Sequence, residues 1–328
     1  MPSRRPGCLK LLLWFAVIDC VLVLLVGEMY YNLGSNLTLY AFKDSKAPLE
    51  VKTKHGWRSV THATVSEMGE ALVEHHLEQG LRWCSLPVRR KPATLLQYLV
   101  SIVCDAEMNI ITIAPDRFEF VTSYQPGFAP TTARERLATD KLTFTLIANF
   151  RDPNGRPLGW VYHNGREVNH PFPKWTGVFF VKNGMPYFGP KSLLDDVPGP
   201  VEEGTQGYPS VMKNHIVFSY VDLAPDKFFD GRKITYRSLA GMRRDGTIVL
   251  VLSGDGGALN VTEVTEIAKK LDVHNATLLD GGRALQYALR TASGVWDFHA
   301  FNTTLNLGPA FMHPQRSPVY IGVRPRQP

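Results

Sequence analysis

Cysteine is scarce in this chain: 328 residues hold four, and two of them, Cys8 and Cys20, fall within the first twenty positions. That scarcity excludes a disulfide-stapled scaffold, and the spacing excludes a zinc site built on cysteines. Cys84 and Cys104 remain as an even pair, readable either as one disulfide in an oxidising compartment or as two unrelated buried thiols. No internal repeat and no low-complexity segment occurs. Acidic residues are only slightly outnumbered, 30 against 36 Lys and Arg, for a net charge of +6. The cations are scattered, and the one dense run, "VRRK" at 88–91, lacks interleaved aromatics, so the basic balance does not point to nucleic acid. What is abundant is apolar content, 44% of residues against 20% charged, enough for one large core or two smaller ones.

The longest apolar run is N-terminal. "LLLWFAVIDCVLVLLV", from Leu11 to Val26, is interrupted only by Asp19 and follows Arg4, Arg5 and Lys10. As a helix it rises about 24 Å, with Lys10 placed to snorkel at one end and Met29, Tyr30 and Tyr31 at the other. The adjoining "VGEMYYNLG" has no small-x-small cleavage site, and the residues before Cys20 do not form a lipobox. The expectation is an uncleaved single-span anchor over residues 1–31. Its basic end then faces the cytoplasm, placing the protein in the inner membrane with its body periplasmic or extracellular.

Beyond the anchor, residues 32–60 read as a polar, irregular stalk. Met68 and Leu72 recur at helical spacing in "TVSEMGEALVEHHLEQG", with Gly80 as the stop, and "ATLLQYLVSIV" after Pro92 predicts a second helix. Residues 32–104 are therefore expected to be a stalk and helical segment, with His75 and His76 a solvated pair. From residue 105 onward the pattern changes. "NIITIAP", "FEFVTSY", "FTLIANF" and "HIVFSYV" predict strands, "TTARERLATD" a helix, and "TGVFFVKNGMPYFG" and "RSLAGMRRDGTIVLVLSG" hairpins. An amphipathic helix with an Asn260–Glu263 capping box then leads into "ATLLDGG". The fold class expected is α/β (α+β): a mixed sheet flanked by helices over 105–328. Within "LLDGGRALQY", Asp280 reads either as a carboxylate at the end of a buried strand or as the cap of a helix after it.

The order of "LIANF", "NGRPLG", "GYPSVMKN", "RSLAGMRRDGTIVLVLSG", an amphipathic helix and "ATLLDGG" resembles the phosphodiester glycosidase family, whose bacterial envelope relatives are linked to exopolysaccharide biosynthesis. The resemblance runs from about residue 105 to 325. It implies that Asn149, Arg237, Asp255, Asp280, Gly281 and Gly282 occupy the family's site positions. "NFRD" stands where the family has glycines beside the Asn, and Arg283, Ala284 and Leu285 replace its usual Gly and Ser.

Cleaving a sugar from a phosphodiester needs cations or amides for the phosphate and a carboxyl group at the anomeric centre. The candidate catalytic residues are therefore Asp280, Asp255 and Asn149. Arg237, Arg283, Gly281 and Gly282 are candidates for phosphate, and a divalent cation at Asp255 and Asp280 is an open expectation. The implied activity is hydrolysis of a glycosyl phosphodiester in an envelope polysaccharide or its precursor. The alternative is a non-catalytic protein that binds an anionic glycan or serves exopolysaccharide assembly. Sequons at Asn36, Asn260, Asn275 and Asn302 decide nothing.

Overall fold

The computed structural model describes residues 6–31, 33–219, 229–300 and 315–327. The sequon at Asn302 lies outside them, as does the end of "HIVFSYV". A 26-residue helix, α1 (Pro6–Tyr31), is followed by α2 (Leu33–Phe42). The described apolar side chains of α1 are all exposed, from 48% at Val17 to 68% at Leu13. The membrane span expected over Leu11–Val26 is nonetheless not shown: among the described residues no helix is long and apolar enough to cross a membrane. The stretch with described side chains, 10–24, rises about 22 Å, short of a hydrocarbon core of about 30 Å.

The helical segment expected over 32–104 is largely sheet. β1 (Leu49–Thr53) and β2 (Gly56–Ser59) form a hairpin in place of the irregular stalk. The helix expected over 64–80 ends as α3 (Val65–Glu70), capped by the reciprocal bonds of Thr64 and Glu67. β3 (Val73–Glu78) then turns at Gly80, φ 89°, into β4 (Leu81–Arg90). The antiparallel ladder from Val73–Ser85 to Glu78–Leu81 overrides the helical spacing of the sequence. His75 therefore lies on a strand and bonds Ser85 Oγ through Nε2 at 2.7 Å. The expected helix after Pro92 is present as α4 (Leu95–Val103). It is inverted in character: Gln97 and Val100 are buried while Leu95, Tyr98, Leu99, Ile102 and Val103 are more than half exposed. Cys84 and Cys104 are not bonded to each other.

The body continues through β5 (Glu107–Ile113), β6 (Phe118–Tyr124), α5 (Ala133–Thr139) and β7 (Phe144–Ile147). Next come β8 (Val161–His163), β9 (Arg166–Asn169), β10 (Gly177–Lys182), β11 (Met185–Pro190) and α6 (Leu193–Asp196). β12 (Glu203–Gly207), β13 (Ser210–Lys213), β14 (Ile216–Val217), β15 (Ser238–Met242) and β16 (Ile248–Ser253) lead to α7 (Val261–Lys270). β17 (Asn275–Leu278), β18 (Gln286–Thr291), β19 (Gly294–His299) and β20 (Val319–Pro325) complete the chain.

Among the described residues these strands form a ten-stranded sheet, β14-β13-β17-β15-β16-β5-β4-β1-β2 with β3 on β4, and two five-stranded sheets, β11-β10-β12-β8-β9 and β19-β18-β7-β20-β6. Every pair is antiparallel, so the body is α+β and sheet-dominated, without the parallel crossovers of an α/β fold. β16 reads "IVLVLS" and is buried throughout, because both its faces are covered. Leu250 and Leu252 point into the core shared with Phe144, Tyr287 and Tyr320, while Val249 and Val251 point to α7 at Val264 and Ile267.

One buried ion pair ties the N-terminal strands to α7. Glu263, at the third position of that helix, accepts from Asn260 N (2.9 Å), Leu49 N (3.0 Å) and Arg90 Nη1 (2.8 Å), and also pairs with Arg90 Nη2. The Arg90 side chain is only 4% exposed. Removing one partner of such a pair strands the other charge. Arg90→Met is therefore expected to lower unfolding stability by about 3 kcal/mol, read as a lower urea midpoint at unchanged slope. A loss under about 1 kcal/mol would show that the pair is not what holds β1 and β4 to α7.

Candidate active site

Leu278 and Leu279 are both 2% exposed, and the strand they belong to runs past its last ladder residue: Leu279 N donates to Ser238 O (2.9 Å) and Gly282 N to Tyr236 O (2.8 Å). Between them, Asp280 N donates to Ala148 O (3.0 Å), at the end of β7 in a different sheet. The junction buries the carboxyl group, leaving Asp280 6% exposed with Gly281 N donating to its Oδ1 at 2.8 Å. Burial raises its pKa to about 7, against the opposing pull of the Gly281 N–H and the Arg151 charge. The carboxyl group therefore holds its proton to a far higher pH than an ordinary aspartic acid.

The two glycines serve different needs. A Cβ on Gly281 would stand 2.9 Å from Tyr236 O, and Gly282 sits at φ 58°, where side chains other than glycine are strained. A single 3₁₀ turn, Gly282–Ala284, then leads into β18, in place of the helix that Asp280 would have capped.

Asp280, Gly281, Gly282 and Arg237 line one cavity of about 340 Å³, together with Phe150, Asp230, Lys233 and Ser238. Arg237 is 7% exposed and makes no salt bridge with a described residue; its Nη2 donates to Asp230 O and Lys233 O, both 2.7 Å, and its Nε to Leu259 O (3.4 Å). Its guanidinium carbon lies 5.2 Å from the centre of the Phe229 ring. Burial lowers its pKa to about 10, partly offset by Asp230, so it stays charged at neutral pH. These bonds leave Nη1 without a partner among the described residues. Ser238 Oγ, buried in the same lining, also has none.

The other expected residues lie elsewhere. Asn149 is fully buried and its Nδ2 donates to Leu158 O (3.0 Å) and Trp160 O (3.1 Å), so its amide fastens the loop after β7. Arg283 is exposed on the 3₁₀ turn, outside the cavity lining. Asp255 is also outside it, exposed on the turn after β16, where its carbonyl accepts from Glu107 N at 2.9 Å. Burial and the Asp255 charge raise the pKa of Glu107, which lies in a second polar group with Asn109 and Tyr287. Of the two aspartates expected to share a divalent cation, Asp280 lines the cavity and Asp255 does not.

Sequence reasoning missed Asp230 and Lys233. The only signal was "DGRKITYR", a turn-rich segment ending at Arg237, in which Asp230 Oδ1 accepts from Arg232 N at 3.0 Å.

A buried carboxyl group of raised pKa shares the cavity with a buried and an exposed cation, Arg237 and Lys233, a set of groups suited to proton transfer to an anionic ligand. Residues 141–308, just over half of the chain, match the family model for phosphodiester glycosidase, and the chain belongs to that family. Its fold is similar to the zebrafish N-acetylglucosamine-1-phosphodiester alpha-N-acetylglucosaminidase catalytic domain, described as auto-inhibited by its pro-peptide. That likeness has a TM-score of 0.58 at 16% identity and covers 78% of this chain and 87% of that one. A hypothetical protein from Synechocystis is similar with a TM-score of 0.54 at 13% identity, covering 78% of this chain and 64% of that one. At these identities the likeness is one of fold. No curated protein sequence matches the chain.

The raised pKa of Asp280 fixes a pH dependence. Below about pH 4 the group is protonated in both the folded and unfolded states. As pH rises from 3.8 towards about 7 the unfolded chain ionises first, so this contribution to stability is lost across that window, on the order of 4 kcal/mol in all. Asp280→Asn is expected to flatten the slope of stability against pH between 4 and 8, measured by urea unfolding. An unchanged slope would place the Asp280 pKa near that of an ordinary carboxyl.

Proposed function

We propose that this protein hydrolyses a glycosyl phosphodiester in an envelope polysaccharide or its precursor. The reading rests on one observation above the rest: the buried Asp280 carboxyl group shares a cavity with Arg237 and Lys233. In the reaction, protonated Asp280 gives its proton to the oxygen bridging the anomeric carbon and phosphorus. The carbon–oxygen bond breaks, the phosphomonoester leaves against the Arg237 and Lys233 charges, and water adds to the anomeric carbon. Asp230 is the second carboxylate of the lining and the candidate to take the proton of that water. Asp255, exposed on its own turn, is not given that role.

With the purified chain acting on an aryl sugar phosphodiester, Asp280→Asn is expected to lower kcat by at least about a hundredfold while folding is retained. Asp230→Asn is expected to lower it by about tenfold or more. Native activity should decline as pH rises through about 7, where Asp280 loses its proton. An EDTA arm tests for a catalytic cation. Binding without release of sugar across a panel that includes UDP-sugars would favour the glycan-binding alternative. That alternative draws on Arg237, whose Nη2 and Nε already hold backbone carbonyls.

Membrane attachment belongs to the same reading. It is supported by the basic N-terminal flank, the apolar side chains exposed along α1, and the outward apolar face of α4, which joins α2 through Gln97 Nε2 and Ala41 O at 3.0 Å. A lipid surface would cover both exposed faces, leaving the body on the non-cytoplasmic side of the inner membrane. A C-terminal alkaline phosphatase fusion should be active, and an inactive fusion or a mature N-terminus beyond Gly27 would overturn the anchor.

A further inference from the structure

Far from the cavity, two turns bring together side chains that the proposed reaction does not use. His215 lies in the β13–β14 turn, and Asp272 and His274 lie in the turn between α7 and β17. One potential ligand atom from each comes within 4.8 Å of the others, and the two imidazole rings are 5.1 Å apart. The turns are locked to each other: His215 N donates to His274 O (2.8 Å) and Asn214 N to Asn275 Oδ1 (3.0 Å).

The tautomer of the neutral His215 ring is set by its neighbour. Nδ1 lies 2.9 Å from Val273 O, and a carbonyl only accepts, so Nδ1 carries the hydrogen and Nε2 presents its lone pair. This is the arrangement in which a backbone carbonyl orients a metal-binding histidine. His274 Nε2 lies 3.7 Å from Asp272 Oδ1, so both point to one place. Asn214, His215 and Asp272 all have positive φ, at 51°, 66° and 61°. For a histidine this conformation is uncommon, and the surrounding bonds hold it there.

We propose that His215, Asp272 and His274 bind one divalent transition-metal ion, zinc by the character of the donors, with water completing the coordination. Two neutral imidazoles and one carboxylate suit zinc better than magnesium, which prefers oxygen ligands. A tetrahedral ion bound at about 2.0 to 2.1 Å needs ligand atoms roughly 3.4 Å apart. The Asp272 side chain is 67% exposed and has room to rotate, while the two imidazoles close the remaining gap by small ring rotations. The ion would staple β14 and the start of β17, at the end of β17 opposite Asp280. His274 and Asp280 are six positions apart, about 20 Å of extended chain, so this metal is structural with respect to the cavity.

The test uses the full chain stripped with EDTA, dialysed, and titrated with zinc chloride against a chromophoric competitor. One zinc per chain is expected, with binding weakened at least about tenfold in His215→Ala and in His274→Gln. Cobalt(II) should give the visible absorption of a tetrahedral site in the native chain and lose it in both variants. Zinc should raise the melting temperature of the native chain only, and kcat on the aryl sugar phosphodiester should be the same with and without it. Equal urea midpoints of the native chain and the variants in EDTA would establish that the variants fold. No zinc bound at 100 micromolar, or equal binding by the variants, overturns the site. Zinc that changes kcat, with its binding unaffected by the two substitutions, places the ion at the cavity instead.

Discussion

The backbone hydrogen bond from Asp280 N to Ala148 O joins the extension of β17 to the end of β7, where the ten-stranded sheet meets the sheet carrying β18 and β20. The chemistry of the cavity depends on that junction. It encloses the carboxyl group beside Leu279 and Phe150, and enclosure rather than a neighbouring anion is what raises its pKa towards 7. The same bond fixes the course of the chain through Gly281, which passes so close to Tyr236 O that a side chain would not fit. The free energy spent on desolvating Asp280 is available only because the apolar cores on either side of the sheet are large.

Arg237 shows how a buried cation organises both a loop and a site. It enters β15 through two bonds with Ser253, its N donating to the side-chain Oγ at 2.8 Å and its O accepting from the main-chain N at 2.9 Å. Its guanidinium then holds the carbonyls of Asp230 and Lys233, which places both residues at the cavity. A bidentate phosphate clamp would turn two of its donors to the ligand. Here Nε and Nη2 position the loop, and Nη1 has no partner among the described residues. Loss of the side chain therefore removes a charge and displaces Lys233 together with Asp230.

What was legible in the sequence was local and strongly patterned. "RSLAGMRRDGTIVLVLSG" forms β15 and β16 around its Asp-Gly turn, and Asn260 and Glu263 form their capping box. "LLDGG" places its carboxylate at a strand end, because two buried leucines before an acid and two glycines leave few other arrangements. The failures were non-local. Residues 73–78 continue a helical run in sequence, and only the ladder with β4 makes them a strand. The strand-end rule for parallel α/β sheets located Asp280 in a body whose strands are antiparallel, while the family resemblance nominated Asp255, which the turn after β16 carries out of the cavity. Asp230 and Lys233 carry no periodic signal, since their position depends on Arg237.

The N-terminal strands bear on the site although the family match begins at residue 141. Arg90 reaches Glu263 at the start of α7, and α7 packs Val264 and Ile267 against Val249 and Val251 of β16. β16 in turn pairs with β15, whose first residue comes directly after Arg237. The chain of contacts runs from a buried ion pair through a helix and a strand to the cation of the cavity. Each link is a packed or hydrogen-bonded element with little room to shift. A change at Arg90 should therefore act on the site through the stability of this sheet, altering how much protein is folded before it alters how the folded protein reacts.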